Sequence, residues 1–448
     1  MKHANFEPFL ILFLTGIFLV PIAGKFLHVF PVRNLTVVHA SIPAKKTPVK
    51  VSQEVAASDS LKALTEDGDT ISNTFTGMEF FYQSVRQVQS DHALLHIAYF
   101  GDSMIEGDLV TQSLRRFLQQ KFGGNGIGFI PVTTPLPGFR TTIRQRFNNN
   151  WDVFSFVHKG TSGVHPGLSG YVYVSSQGAE STYESPPGYA LFHKAQILYG
   201  GNNSITMKVV TDTTTTVLSF PPSKSVSSFT VKPDTAFSLF GIKITSSEPG
   251  IFYGVNFENT PGIYVDNYAF RGNSGLPLTT IPTELFSELN AALKNKLLII
   301  HYGLNVFTPG VEDYHWYEIA MENVIRHVKE SSPGISILMI SMPDRSALIL
   351  GEYHTPSGLP GFIRLQKRVA AREHVAFFNL YEAMGGANSM KKWVEGHPKL
   401  ASDDYTHPNG AGAVRIASLV YDYLIKGYDQ FTQHPDSLAV AKLSGNSL

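Results

Sequence analysis

The sequence of 448 residues contains no cysteine. This absence excludes disulfide bonds, thiolate zinc sites and cysteine nucleophiles, and it gives no information about the redox compartment. The chain also lacks an excess of charge, because Lys plus Arg and Asp plus Glu both total 36. A balanced chain has no basic footprint of the kind that nucleic-acid-binding proteins carry. We therefore expect no nucleic-acid partner.

The sequence has no His-Glu-x-x-His motif and no comparable cluster of metal ligands. Five histidines lie beside a predicted strand or are scattered over predicted loops and helix ends: His92, His96, His354, His374 and His397. The glycine-rich stretch FGGNGIGF (122–129) follows a predicted helix and lacks the Gly-Lys-Ser/Thr ending of a phosphate-binding loop. It predicts a loop into a second strand instead. We expect neither a metal nor another cofactor.

Long apolar runs are absent except for one, which extends without a charge from Phe9 to Gly24 and follows Lys2. Its length is at the short end for a membrane-spanning helix. A signal peptide cleaved at the small residues near Ala23 and an uncleaved anchor continuing through KFLHVF both fit it. We assign residues 1–34 to a signal peptide or membrane anchor and leave cleavage open. The expected location is the periplasm or cell envelope.

The rest of the chain shows two kinds of sequence pattern. Residues 150–265 contain short runs rich in β-branched and aromatic residues, separated by Gly, Pro, Asn and Ser, which predict an all-β sandwich or jelly roll. On both sides of this segment strands alternate with helical patterns, which predicts a parallel sheet covered by helices. The predicted fold class is therefore α/β, interrupted by an inserted all-β domain.

The predicted domain organisation follows from these sequence patterns. After the N-terminal segment, the chain divides into a linker (35–75), the first part of the α/β domain (76–149), the inserted β domain (150–265), the second part of the α/β domain (266–428) and a C-terminal tail (429–448).

Candidate catalytic residues stand where predicted strands end. In YFGDSMIEGD (99–108), Ser103 follows an apolar strand, and it could be a nucleophile or only a helix cap. A serine nucleophile needs a base that a third group orients, and SDDYTHPNG supplies His407 and Asp404 within one turn. Asp403 could replace Asp404 as the orienting group, but the three-residue spacing favours Asp404.

Acyl transfer also needs donors for the oxyanion of the tetrahedral intermediate. The candidates are the backbone N–H groups of Ser103 and Gly272 and the side-chain amide of Asn305, in the stretches NYAFRGNSG and HYGLN. Gly275 lies close enough to Gly272 to take its place. Because ligands bind at the carboxyl ends of strands in open α/β sheets, these residues are expected to converge.

The order of these motifs resembles the SGNH or GDSL hydrolases. Gly101-Asp102-Ser103 resembles their first block, Gly272 their second, Gly303-Leu304-Asn305 their third and Asp404-x-x-His407 their fifth. The resemblance covers about 90–145 and 265–425, and it implies a three-layer α/β/α, flavodoxin-like fold with esterase or acyltransferase chemistry. Methionine replaces the namesake leucine after Ser103, and valine rather than a polar residue follows Asn305. Neither departure removes a catalytic group.

A narrower resemblance lies in GDSMIEGDLVTQSLRRFLQQKFGGNGIGFIPV together with the β insertion. It is similar to the periplasmic peptidoglycan O-acetylesterases, in which a carbohydrate-binding-module-like jelly roll interrupts the hydrolase domain. This resemblance implies an acetylated cell-envelope glycan, peptidoglycan above all, as the substrate. A glycan O-acetyltransferase using the same triad and a non-catalytic glycan-binding envelope protein stay open as alternatives. The acetylated hydroxyl and the oligomeric state are not determined by the sequence.

Overall fold

A computed structural model of the chain describes residues 71–160 and 163–433. The predicted signal peptide or anchor, most of the linker and the end of the tail lie outside the described residues. Among the helices of the described part, none is long and apolar enough to cross a membrane.

The described residues form eight α-helices and eighteen strands. The helices are α1 (Glu79–Asp91), α2 (Leu109–Phe122), α3 (Thr283–Ala292), α4 (His315–Ser331), α5 (Leu359–Arg372), α6 (Leu380–Met384), α7 (Ser389–Glu395) and α8 (Gly410–Gln433). The strands are β1 (Leu94–Gly101), β2 (Gly128–Ile130), β3 (Arg144–Phe147), β4 (Trp151–Ser155), β5 (Tyr171–Ser175), β6 (Glu180–Glu184), β7 (Ala195–Gly201), β8 (Ile205–Thr211), β9 (Thr215–Phe220), β10 (Ser223–Val231), β11 (Leu239–Ile244), β12 (Ile251–Phe257), β13 (Gly262–Ala269), β14 (Asn295–His301), β15 (Ser336–Ile340), β16 (Ala347–Ile349), β17 (Glu352–His354) and β18 (Ala376–Phe378).

Five strands form a parallel sheet in the order β13-β1-β14-β15-β18. Its central strands are apolar runs buried almost throughout, which is the pattern that helices on both faces of a sheet require. Helices α1, α2 and α8 contact one another. In a second group of helices, α3 contacts α4 and α4 contacts α5. The predicted α/β fold class with a parallel sheet is confirmed.

Two antiparallel sheets occupy the chain between β1 and β13. One has the order β10-β7-β12-β5-β4, with β2 paired to β12, and the other has the order β3-β6-β11-β8-β9. Both sheets contribute to one hydrophobic core, to which β12 brings Phe257 and β11 brings Phe240. These sheets fit an inserted β domain. Strand pairing puts β2 and β3 with the antiparallel sheets and β13 with the parallel sheet, whereas the sequence division falls at 150 and 265.

Several elements extend beyond the predicted pattern. Helix α8 continues past residue 428 to Gln433, because the buried Phe431 packs against Tyr82 with ring centroids 5.8 Å apart. At the other end, Thr74 lies in the predicted linker but forms a backbone bridge with Phe377 of β18. Helix α1 and the hairpin of β16 and β17 are absent from the sequence prediction.

Candidate active site

The carboxyl ends of the parallel strands bring the predicted site residues to one edge of the sheet. Ser103 follows β1, Gly272 follows β13 and Asn305 follows β14, and these three strands are neighbours. The backbone N–H of Phe270 donates to the carbonyl of Gly101 at 2.9 Å and holds two of these strand ends together. This is the edge at which open α/β sheets bind ligands.

Ser103, His407 and Asp404 form a continuous hydrogen-bonded chain. The Ser103 hydroxyl donates to Nε2 of His407 at 2.8 Å, and Nδ1 of His407 donates to Oδ2 of Asp404 at 2.7 Å. These are the contacts that a serine nucleophile, its base and the orienting carboxylate require. Ser103 also begins a short 3-10 helical turn, which kinks at Glu106 and Gly107. Its hydroxyl therefore lies at a helix start and also beside a base.

The short turn before α8 fixes the carboxylate of Asp404. Its Oδ1 accepts the backbone N–H groups of Thr406 and His407, each at 3.0 Å, while Oδ2 faces the imidazole. Partial burial raises the pKa of Asp404, but the hydrogen bonds from His407 and the two backbone N–H groups outweigh burial and hold that pKa below its ordinary value. Asp403 pairs with Lys399 on the surface instead. Of the two adjacent aspartates, Asp404 therefore contacts the histidine.

Asp102 joins the serine turn to Asn305. Its Oδ1 accepts the backbone N–H of Met104 at 3.0 Å, and its Oδ2 accepts the amide of Asn305 at 3.0 Å. Burial raises the pKa of Asp102 to about 6, against the opposing effects of the Met104 N–H, the charge of His407 and the amide of Asn305. The carboxylate therefore positions the turn and the amide together.

The three oxyanion candidates differ in their free donors. Among the residues that the structure describes, the backbone N–H groups of Ser103 and Gly272 have no hydrogen-bond acceptor. The amide nitrogen of Asn305 already donates to Asp102 and, at 3.2 Å, to the carbonyl of Asn273. The two backbone N–H groups are thus free to donate to an oxyanion. The Asn305 amide can donate to it only by sharing or giving up its longer hydrogen bond, the one to the Asn273 carbonyl.

The two candidate glycines have different surroundings. A Cβ placed on Gly272 meets no atom within 4 Å, so this position faces open space. A Cβ on Gly275 would lie 2.7 Å from the ring of Tyr302, and the Gly275 N–H donates to Oδ1 of Asn273 at 2.8 Å. Gly275 therefore serves packing, and its N–H is occupied. The geometry favours Gly272 as the backbone donor.

Sequence reasoning missed two features beside the catalytic turn. Tyr353 of β17 stacks on Tyr405 with ring centroids 3.6 Å apart, and the Ser346 N–H donates to the Tyr405 carbonyl at 2.9 Å. Arg345 precedes Ser346 in the same loop. The signal for Arg345 was its place in the loop that follows the buried strand SILMI, at the same edge of the sheet as Ser103 and Asn305.

A cavity of about 450 Å³ adjoins the serine turn. Its wall includes Glu106 and Arg271, which form an ion pair, and the aromatic rings of Phe139 and Tyr171. It also includes residues of the serine turn and of strands in both types of sheet. This is the size of cavity in which proteins bind small ligands.

No group of three or more His, Asp or Glu side chains that could hold a metal occurs within 71–160 and 163–433. The hydrogen-bonded chain of Ser103, His407 and Asp404 supplies a nucleophile and a base, and neighbouring backbone N–H groups supply oxyanion donors.

Comparison with known proteins agrees with this geometry. Residues 246–415 match the model of the GDSL-like lipase/acylhydrolase family, and they include Gly272, Asn305, Asp404 and His407. This stretch of the chain is therefore similar to the GDSL-like lipases and acylhydrolases. Ser103 precedes the matched segment because the antiparallel strands separate it from the rest of the site.

A solved structure shares the fold. A peptidoglycan O-acetylesterase has a TM-score of 0.64 at 23% identity, over 79% of this chain and 97% of that chain. Lower scores are given by protein YXIM from Bacillus subtilis (TM-score 0.32, 14% identity, 68% of this chain and 98% of that one) and a family two carbohydrate esterase from Clostridium thermocellum in complex with cellohexaose (TM-score 0.26, 12% identity, 59% and 99%). No curated protein matches the sequence.

Proposed function

We propose that this protein is an exported serine esterase that removes O-acetyl groups from a cell-envelope glycan, with peptidoglycan as the substrate. The observation that carries the proposal is the chain of contacts from Ser103 through His407 to Asp404, at 2.8 and 2.7 Å. Neighbouring donors without acceptors, on Ser103 and Gly272, supply the charge stabilisation that acyl transfer needs.

In the first half of the reaction, Nε2 of His407 takes the hydroxyl proton as Oγ of Ser103 attacks the acetyl carbonyl carbon. The carbonyl oxygen becomes an oxyanion, which the free N–H groups stabilise. The ester C–O bond then breaks, and the sugar oxygen leaves with the proton from His407. Asp404 stabilises the imidazolium that exists between these two proton transfers, since its carboxylate accepts from Nδ1.

In the second half, water replaces the sugar. His407 takes a proton from water as the water oxygen attacks the acetyl-serine, and the Ser103 oxygen leaves with that proton, releasing acetate. The side chain of His407 is 38% exposed, so water can reach the imidazole. An open site of this kind supports hydrolysis as the fate of the acyl-enzyme.

The choice of substrate is supported by the fold shared with a peptidoglycan O-acetylesterase and by the cavity beside the serine turn. The apolar run from Phe9 to Gly24 supports export, which would bring the enzyme to the cell envelope. The antiparallel sheets next to the cavity are the proposed glycan-binding part.

The test is acetate release from O-acetylated peptidoglycan by the purified full-length chain. The wild type should release acetate, Ser103→Ala should lose nearly all of it, and the exposed Ser176→Ala should behave as the wild type. Loss of release in both serine variants, or in neither, would contradict the proposal.

A glycan acceptor added to the same assay separates hydrolysis from transfer. Hydrolysis predicts free acetate in stoichiometric yield with no acetylated acceptor. Acetylated acceptor in place of acetate would make the protein an O-acetyltransferase that uses the same residues. Tight glycan binding without either product would identify a glycan-binding protein instead.

A further inference from the structure

Arg345 stands at the edge of the active site, and it has no ion-pair partner within the part of the chain that the structure describes. It lies in the loop that follows β15, next to Ser346, whose N–H donates to the carbonyl of Tyr405 in the catalytic turn. No carboxylate lies within 4 Å of its guanidinium among the described residues, and its buried Nε has no hydrogen-bond partner there. By contrast, the buried Arg115 is paired with Asp108 at 2.8 Å.

The loop that carries Arg345 is held in place from behind. The carboxylate of Asp344 accepts the hydroxyl of Thr355 at 2.6 Å, the backbone N–H of Met390 at 2.8 Å and the hydroxyl of Ser389 at 3.3 Å. Asp344 is therefore occupied by neutral donors and does not neutralise its neighbour. The guanidinium is held at the sheet edge by a rigid loop, which is what a recognition residue requires.

The charges around Arg345 do not explain it as part of the proton relay. Burial lowers the pKa of Arg345, and the charge of Asp404 opposes this shift, so Asp404 lies within electrostatic range of the guanidinium. A positive charge beside Asp404 disfavours an imidazolium on His407, which the reaction must form. Asp404 acts on the guanidinium only at a distance, and no carboxylate among the described residues forms an ion pair with it.

We propose that Arg345 binds a carboxylate of the glycan substrate, close to the sugar whose acetyl ester Ser103 attacks. Arginine matches a carboxylate with two parallel N–H donors, and a half-buried guanidinium gains most from such a partner. Peptidoglycan offers carboxylates of two kinds, on its stem peptides and, where the peptide has been removed, on the lactyl group of its muramyl sugars. This inference rests on the proposed function, because it names the part of that substrate that gives the site its specificity.

The experiment compares charged and neutral forms of one substrate. O-acetylated glycan strands freed of peptide expose the lactyl carboxylates, and the same strands with those groups converted to amides carry none. The wild type should favour the charged strands in kcat/KM by about tenfold or more. Arg345→Gln should remove this preference, mainly through KM, and Arg345→Lys should retain part of it. Arg364→Gln, on an exposed part of α5, is the matched control.

Strands that still carry stem peptides identify the source of the carboxylate. A preference that appears only with these strands, and that Arg345→Gln removes, assigns the partner to the peptide. An equal loss for charged and neutral strands, with a shifted pH profile of kcat, would show that Arg345 acts on Asp404 and would overturn the proposal. No change in the preference would overturn it as well.

Failure of the proposed function is a separate outcome. If the wild type releases no acetate from any strand, the substrate is wrong, and Arg345 is then tested with 4-acetoxybenzoate and its neutral methyl ester. A selective loss for the charged ester in Arg345→Gln supports a carboxylate site for another substrate. Equal effects on the two esters would overturn the carboxylate site itself.

Discussion

The carboxylate of Asp102 accepts the side-chain amide of Asn305 at 3.0 Å, across 203 residues of sequence. This bond fixes the orientation of the amide, because the carboxylate accepts only from the NH₂ side. The same carboxylate holds the turn that carries Ser103 through the Met104 N–H. One buried acid thus positions the nucleophile and an oxyanion candidate together.

Replacing Asp102 by Asn should disturb both partners, since the new amide can donate as well as accept. We expect Asp102→Asn to lower kcat on an aryl acetate by about 10- to 100-fold with a smaller change in KM. Steady-state kinetics beside Asn305→Ala checks this result. If the two single variants act through one bond, the double variant should lose little more than the worse of them; full additivity would contradict the positioning role.

The buried Asp102 also predicts a pH dependence of stability. Its pKa is raised to about 6 by burial, so the folded protein holds this proton more tightly than the unfolded chain. The contribution to stability is fully present below about pH 4 and is lost as pH rises through about 6. Relative to the wild type, Asp102→Asn should therefore gain about 3 kcal/mol in free energy of unfolding between these limits. Denaturant unfolding at both pH values measures it.

Asp404 and Asp403 offer a matched pair of variants. Asp404→Asn should lower kcat by about a hundredfold or more. The neutral amide cannot stabilise the imidazolium of His407 as the carboxylate does, and it favours the wrong tautomer of the neutral imidazole. Since the pKa of Asp404 lies below its ordinary value, this loss should persist from about pH 5 to about pH 8. Asp403→Asn, which loses only a surface pair with Lys399, should leave the rate unchanged. A larger loss in Asp403→Asn would exchange their roles.

Gly272 can be tested against a glycine of the same backbone conformation. Gly272 has φ 75° and Gly188 has φ 87°, and a Cβ at either position meets nothing within 4 Å. Alanine at each should destabilise the fold by about 1 kcal/mol through the positive φ. Only Gly272→Ala should lower kcat, by about tenfold or more, because its methyl group enters the space where the oxyanion forms. Equal kinetics in the two variants would remove Gly272 from the site.

A second pH dependence arises far from the serine, at His96. This buried imidazole contacts Asp266 at 2.7 Å and Glu258 at 2.9 Å, and so ties β1 to β13 and to the residue after β12. Burial lowers its pKa, but the charges and hydrogen bonds of the two carboxylates outweigh burial and raise the pKa to about 9. Stability from this pairing is therefore full below about pH 6.5 and lost as pH rises through about 9.

The variant His96→Gln should cost about 3 kcal/mol or more at neutral pH, because the buried Asp266 loses its cation and the buried Glu258 is left with Lys194. It should also lose the alkaline fall in stability that the wild type shows. The exposed His92→Asn is the control and should follow the wild type. Unfolding curves at about pH 7 and about pH 10 provide the comparison; an unchanged alkaline slope would mean that another group is responsible.

The sequence was informative where candidate catalytic residues lie close to the ends of predicted strands. Ser103, Asn305 and the Asp404–His407 turn could be placed at one edge because parallel strands end there. The bond between Asp102 and Asn305 could not, since it depends on side-chain directions after two strands have aligned. Arg345 was missed for a related reason. A single arginine in a loop carries no signal in the sequence, and its lack of an ion-pair partner is visible only in the folded structure.

Element ends show the same limit. The sequence after residue 428 has no helical periodicity of its own, and α8 reaches Gln433 because Tyr428 and Phe431 are buried against the region of α1. Helix α1 contributes Tyr82 to the same contacts. Tertiary packing of this kind lies beyond local pattern, whereas the apolar runs of β1, β14 and β15 predicted the sheet directly.

The central claim is that Ser103 is a nucleophile activated by His407. The most direct measurement is peptide mapping by mass spectrometry after treatment with a fluorophosphonate, which traps activated serines. We expect one adduct, on Ser103, absent from Ser103→Ala and formed at least about a hundredfold more slowly in His407→Ala. An adduct on another serine, or none on an enzyme that still hydrolyses an aryl acetate, would contradict the account.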